Sequence, residues 1–259
     1  MDIFLGIDVA CAKAKRLPIC IAKQEGDRVV PVEFREELPR SPGNSEITKP
    51  CPFRALAESI AIGLAQTCKE RGWQIKRVAI DAPASAPPAG QKRLCEREMS
   101  KLGLSSFQTP DAQRWEEIKE SCKQHLSRGR PLSNLPHANK IWMLYGFRLF
   151  SALRSIGDFQ VIEVYPYAIV SELLPGCAHK STKEGYSSQL SAVASRTGWL
   201  AVDLEKQLRN TTFGGQHDRL DAFMAAWVAS LPRRKLKVHG CHKRIDDSIW
   251  IPNRESLSP

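Results

Sequence analysis

Five acids in this chain stand where acids are uncommon. Asp8 lies within the short apolar run from Ile3 to Val9, and Asp81 and Glu163 stand near the ends of two further strand-like runs, IKRVAIDAP and FQVIEVYP. An unpaired carboxylate is costly to remove from water, so an acid in an apolar strand needs a purpose. In open α/β sheets, sites form outside the carboxyl ends of the strands, where acids from neighbouring strands can converge. Asp218 and Asp221 are three apart in HDRLDAFMAAWVASL and project from nearly one helix face. Beyond that acidic first turn the helix is almost wholly apolar, so it is buried with its acids aimed at something. Four or five like charges packed together require cations, and carboxylate oxygens suit Mg²⁺ or Mn²⁺. Two such ions about 3.5 to 4 Å apart can activate a water and stabilise the leaving oxygen of a phosphodiester. Asp8, Asp81, Asp218 and Asp221 are therefore candidate metal ligands, and Glu163 joins them as a catalytic candidate. Each acid alone has an ordinary reading, Asp218 as a helix-cap acid and Asp81 and Glu163 as loop caps. The full set is harder to explain that way.

Basic groups near these acids could hold phosphates. Lys13 follows the first strand, Arg93 begins a helix after Asp81, and Lys180 and Lys183 precede a helix carrying Tyr186; His217 could shuttle a proton or orient a water. As single residues they read more simply as solvated charges. His239, Cys241 and His242 suggest zinc, yet no second ligand pair has suitable spacing. Trp115, Trp142, Tyr145 and Phe147 could stack on unpaired bases, although Trp142 and Tyr145 sit at the helical spacing of core residues.

The elements that must position these groups follow from the pattern. Ile3 to Val9, LPICIAK and RVVPVEF are three strand-like runs joined by tight connections, an antiparallel meander with Pro18 and Pro31 at strand starts or edges. A proline-rich loop from Glu37 to Pro52 leads to a helix from Phe53 to Arg71 ending at Gly72, and then to the strand carrying Asp81. Strand, helix, strand in this order implies a parallel crossover, so the sheet is mixed. A helix over Gln91 to Leu102, a polar stretch from Thr109 to Pro136, a long amphipathic helix from His137 to Ile156, the strand of Glu163 and a helical region over 180–209 complete the reading up to the DxxD helix. The spacing thus predicts one domain over 1–231 with a helical insertion at about 105–157, and a basic, irregular extension over 232–259 with a short strand at Ser248 to Ile251.

Composition narrows the class. The 259 residues can bury a sizeable core, and 38 lysines and arginines against 28 acids give a formal net charge of +10, which attracts polyanions, nucleic acid first. Eight cysteines without a CxxC pair do not form a disulfide framework. No run approaches the roughly 18 to 20 apolar residues of a membrane span, and the N-terminus lacks the basic leader of a signal peptide, so a reducing cytosol is expected. The amphipathic helix around Leu144 could support a homodimer.

The succession GIDVA, VAIDAP, RLCERE, VIEVYP, HKSTKEGY and HDRLDAFMAAW, from residue 6 to 227, resembles the domain-of-unknown-function family 429, described as predicted nucleases of RNase H-like fold. The acids also resemble the layout of RuvC-type resolvases. The resemblance implies that Asp8 bridges two magnesium ions, that Asp81 completes one site, and that Asp218 and Asp221 complete the other; it leaves open which helical aspartate is the direct ligand, and Glu163 matches a motif of less defined role. The expected fold is an RNase H-like α/β mixed sheet flanked by helices, and the expected activity is metal-dependent hydrolysis of DNA or RNA. Two other readings compete. One is a nucleic-acid-binding or partner-binding module without turnover, which the completeness of the acid set disfavours. The other is an actin-like ATPase or sugar kinase, which needs a glycine- and threonine-rich phosphate turn where this chain has VACAKAK.

Overall fold

A computed structural model describes all residues except 35, 105–107, 242–243 and 258–259. The chain opens with β1 (Asp2–Asp8), β2 (Ile19–Glu25) and β3 (Arg28–Val32), paired antiparallel as the meander reading expects. Pro31 falls in β3, the edge strand, where its missing N–H costs no ladder bond. Helix α1 (Arg54–Glu70) leads to β4 (Gln74–Asp81), which lies parallel to β1. Then come α2 (Leu94–Lys101), α3 (Ala112–Ser127), α4 (Trp142–Ser155) and β5 (Gln160–Val164), the last parallel to β4. After β5 follow α5 (Pro166–Leu173), α6 (Lys183–Arg196), α7 (Ala201–Thr211) and α8 (Gln216–Ser230), and the chain ends in β6 (Leu236–Gly240) and β7 (Ser248–Pro252). The result is an α/β fold with one open, mixed sheet of order β3-β2-β1-β4-β5-β7-β6.

Several elements depart from the sequence reading. The polar stretch after Thr109 contains α3, capped by Asp111, whose side chain accepts from the Arg114 N–H. Its apolar face is sparse but regular, and Trp115, Ile118 and Cys122 are buried. Helix α4 begins at Trp142, because His137 adopts a left-handed φ of 56° and a short 3-10 turn over Ala138–Lys140 intervenes. Residues 180–209 hold two helices, broken at Gly198 by a positive φ of 78°. The segment from 232 is no irregular extension. Strand β7 pairs parallel to β5 and antiparallel to β6, and all five of its residues are buried, so these strands cover what would otherwise be an exposed edge of β5.

Strand alternation sorts the core into two layers. On one face Leu5, Ile7, Ile80 and Val161 pack with residues of α1, α3 and α4. On the other, Ala79, Ile162 and Val164 pack beneath α8 and the helices around it. Leu144, in the helix read as able to support a homodimer, is buried in the first layer, where α4 lies against α1. Trp115 and Tyr145 are core residues as well, Tyr145 stacked on Phe53 with ring centroids 5.2 Å apart. None of the eight cysteines is in a disulfide, and no described helix is long and apolar enough to cross a membrane.

Helix α8 touches β1 more closely than side chains would allow. A Cβ added at Gly6 would lie 2.0 Å from the Ala222 carbonyl oxygen and 2.1 Å from the Ala226 nitrogen, both rigid backbone atoms. Gly6→Ala is therefore expected to lower stability by about 2–3 kcal/mol through overpacking. Chemical denaturation measures it, and a loss below about 0.5 kcal/mol, the scale of a surface change, would show that the helix does not lie on the strand.

Candidate functional site

The parallel register of β1 and β4 places Asp8 directly beside Asp81 at the carboxyl ends of two adjacent central strands. Residues paired in register point to the same sheet face, here the face covered by α8. Asp221 arrives from that helix, one residue before the Ala222 that rests on Gly6. Carboxylate oxygens of Asp8, Asp81 and Asp221 lie within 4.8 Å of one another, and no other group of three or more metal-ligating side chains occurs among the described residues. Asp221 is buried; Asp8 and Asp81 keep an open edge. One Asp221 oxygen, Oδ1, is buried without a hydrogen-bond partner, so it has a lone pair available to a cation.

The second helical aspartate does something else. Asp218 Oδ2 accepts the Gly215 N–H at 3.0 Å and so caps the start of α8, the ordinary reading of an acid in a first helical turn. Its charge nevertheless acts on both Asp8 and Asp221. Lys180, expected as a phosphate clamp, bonds Asp221 Oδ2 directly and is the cation nearest the cluster.

Crowding raises the acids. Burial, then the charges of Asp221, Asp81 and Asp218, lifts Asp8 well above the usual carboxylate range. Burial and then Asp221 push Asp81 up to about 8. Asp221 is also raised, by burial, against the opposing pull of Lys180. The Lys180 ammonium loses hydration through burial, but Asp221, Asp81 and Asp8 outweigh this and raise it above its ordinary value. Asp8, Asp81 and Asp221 are thus three crowded carboxyl groups whose ionised forms are disfavoured, beside one lysine.

Glu163 does not join them. It pairs in register with Ile80 rather than Asp81, and this offset of one residue turns its side chain to the opposite sheet face. There it receives two bonds from Arg93, one of them 2.9 Å from Nη1 to Oε1, and the Ala84 N–H at 3.0 Å. Arg93 in turn reaches Glu96 at 3.3 Å and the Asp246 carbonyl at 3.0 Å. A catalytic candidate and a phosphate-clamp candidate are thus each other's buried partners. Their role is to brace β5 against α2 and the C-terminal segment.

The remaining candidates scatter. Lys13 is exposed in the β1–β2 connection, and Lys183 is an exposed first residue of α6. His217 sits at the start of α8 with its ring edge-on to Tyr186, centroids 5.0 Å apart, and its buried Nδ1 has no partner. His239 lies 3.8 Å from Glu98 with no ligand group gathered around it among the described residues, and His242 falls outside them. The residues that sequence reasoning missed are Gly6, which permits the approach of α8, and Tyr165 and Tyr167, which line a cavity beside Asp81. A glycine two before a strand acid and the small residues around Ala222 are the signal for the first. None marks the tyrosines.

Raised acid values mean that the ion-free protein is most stable while these acids are protonated. The Asp81 contribution is complete below the unfolded value near 4 and is lost as pH rises through about 8. Without divalent ions, thermal stability should fall between pH 5 and 8, within that window, and Asp81→Asn should flatten the fall and stabilise the protein at pH 8. Differential scanning fluorimetry in chelator checks this, and parallel curves for parent and variant would contradict it.

No curated protein and no solved structure matches the chain. One family model does, over residues 6–235, and this span includes every candidate acid and the close contact of β1 with α8. The chain belongs to the family described as Protein of unknown function (DUF429).

Proposed function

We propose that this chain is a divalent-metal-dependent nuclease that hydrolyses phosphodiester bonds of DNA or RNA. The observation that carries the reading is the meeting of Asp8, Asp81 and Asp221 within 4.8 Å, from three elements far apart in sequence. Three ionised carboxylates at that separation repel one another unless cations lie among them, and all-oxygen donors favour Mg²⁺ or Mn²⁺. The unpartnered Asp221 Oδ1 fits such a role. Bound there, divalent ions would polarise a phosphoryl oxygen and acidify a water enough for attack.

Asp8, Asp81 and Asp221 are the residues that would hold such ions. Asp218 stands outside that group of three, with its Oδ2 accepting the Gly215 N–H. Lys180, which bonds Asp221 and lines the cavity beside Asp81, is the cation that would pair with a phosphate oxygen at such a site. His217 borders Asp221 and carries a buried nitrogen without a partner, so it is the group placed to take up or return a proton. The net charge of +10 favours a polyanionic substrate, whose binding weakens as salt rises.

Single-stranded, double-stranded, branched and hybrid substrates incubated with Mg²⁺ or Mn²⁺ test the activity, and chelator should abolish it. Asp8→Asn and Asp221→Asn should each slow cleavage by more than ~100-fold, beyond the 10- to 100-fold typical of residues that only support metal ligands. Circular dichroism should show both variants folded. Cleavage at the parental rate by both would remove these carboxylates from the mechanism.

A further inference from the structure

The cavity of about 540 Å³ at the end of β4 is lined by Asp81 and by two consecutive basic residues, His179 and Lys180. Both come from the turn between α5 and α6, and hydrogen bonds fix that turn. The His179 carbonyl accepts from the Thr182 N–H and from Thr182 Oγ1, each at 3.1 Å, and Thr182 Oγ1 accepts the Gly185 N–H at 3.0 Å. Buried Gln189 donates to the Ala178 carbonyl at 3.0 Å. A Cβ at Gly185 would stand 2.1 Å from the His179 carbonyl oxygen, so α6 packs directly on the turn. The backbone that carries the two basic side chains is therefore held against the helix.

The His179 ring is fixed as well. Its Nδ1 accepts the Ser181 N–H at 3.2 Å and lies 2.8 Å from Ser181 Oγ. An amide N–H can only donate, so Nδ1 carries no proton and the ring proton is on Nε2. Nε2 has no partner among the described residues. The ring is thus a neutral donor, held by one nitrogen and offering the other. Arg93 also lines the cavity, but its terminal nitrogens are spent on Glu163, Glu96 and the Asp246 carbonyl. A phosphate beside Asp81 needs a cation to offset the neighbouring acids and a donor to fix its orientation. We propose that His179, through its Nε2–H, holds a non-bridging phosphate oxygen of the substrate while Lys180 offsets the charge, so that the turn positions a phosphodiester against the acidic cluster. This rests on the nuclease reading for the place of that phosphate in a strand. His179 binds and does not carry a proton: a neutral imidazole that gave up its Nε2 proton would become an anion. Its part is therefore separate from that of His217, which does not line the cavity.

The test is equilibrium binding to the full chain, with Ca²⁺ replacing Mg²⁺ to limit turnover. The probes are labelled single strands of roughly ten residues, DNA and RNA, and inorganic phosphate. His179→Asn keeps an acceptor where Nδ1 stands, and so keeps the turn, but places nothing at the position of Nε2. It should stay folded by circular dichroism and weaken strand binding about tenfold to a hundredfold, the range of a hydrogen bond to a charged group. His179→Gln, whose amide nitrogen reaches as far as Nε2, should recover most of that loss. Because the ring is neutral, the slope of log affinity against log salt in His179→Asn should match the parent, whereas loss of a charged contact would lower it by about 0.7. Parental affinity in His179→Asn, an equal loss in both variants, or a slope lowered by about that amount overturns the assignment. If the parent cleaves strands while any of these holds, the nuclease reading stands without it. A parent that neither binds nor cleaves strands, yet binds inorganic phosphate in a His179-dependent way, refutes the nuclease reading and leaves the phosphate site standing. A parent that binds neither probe overturns the assignment outright.

Discussion

Helix α8 lies on strand β1 backbone to backbone, at Gly6 and Ala222, and the geometry of the acidic cluster follows from that contact. The interior of a protein is packed like a crystal, so separating these two elements by the width of a methyl group would displace Asp221 from Asp8 by a comparable amount. The helix can approach so closely because small residues, Ala222, Ala225 and Ala226, occupy the side that meets the strand. Its other residues from Leu220 to Ala229 are buried as well, which anchors it along its length. Arg77 on β4 holds its far end by donating to the carbonyls of Ala229 at 3.0 Å and Leu231 at 2.8 Å, where the helix dipole favours a cation.

What this packing produces is an electrostatic liability. Asp8, Asp81 and Asp221 are all displaced towards their neutral forms, first by burial and then by one another. Lys180 offsets only part of that, since one ammonium stands against three carboxylates. Groups so arranged lower the stability of the ion-free fold, a pattern typical of functional sites rather than of structural ion pairs. The Arg93–Glu163 pair makes the contrast within the same molecule. It too is buried, but each partner meets an opposite charge and further hydrogen bonds, so it has the form of a brace.

The C-terminal strands connect this brace to the cavity. Ile249 of β7 lies beside Glu163 in the sheet and also lines the cavity, and the Asp246 carbonyl accepts from Arg93. A stretch that lies mostly beyond the residues matched by the family model therefore shapes part of the cavity wall. Its fusion to the sheet also explains why β5, a short strand of five residues, can be central: β4 pairs with it on one side and β7 on the other.

The acids, the mixed sheet and the buried character of α8 were legible in the sequence because each rests on a local pattern: a charge in an apolar strand, a strand–helix–strand order, an apolar run behind a DxxD turn. Strand β7 was legible as a short run at Ser248 to Ile251, but β6 and the place of both strands in the sheet were not, since their burial depends on a distant neighbour. Nor could the sequence separate Glu163 from Asp81, both acids near a strand end and shortly before a proline. Pairing register decided that: Asp81 stands opposite Asp8, and Glu163 stands opposite Ile80. Because side chains alternate with a period of two, this single-residue offset sends one carboxylate into the cluster and the other through the sheet to an arginine. The same holds for the helical pair, in which Asp218 turns back to its own helix cap and Asp221 reaches the strands. Residue types and order along the chain determined which groups were available for chemistry; only the packing of strands and helix against one another decided which of them meet, because that depends on distances between segments that the linear order does not encode.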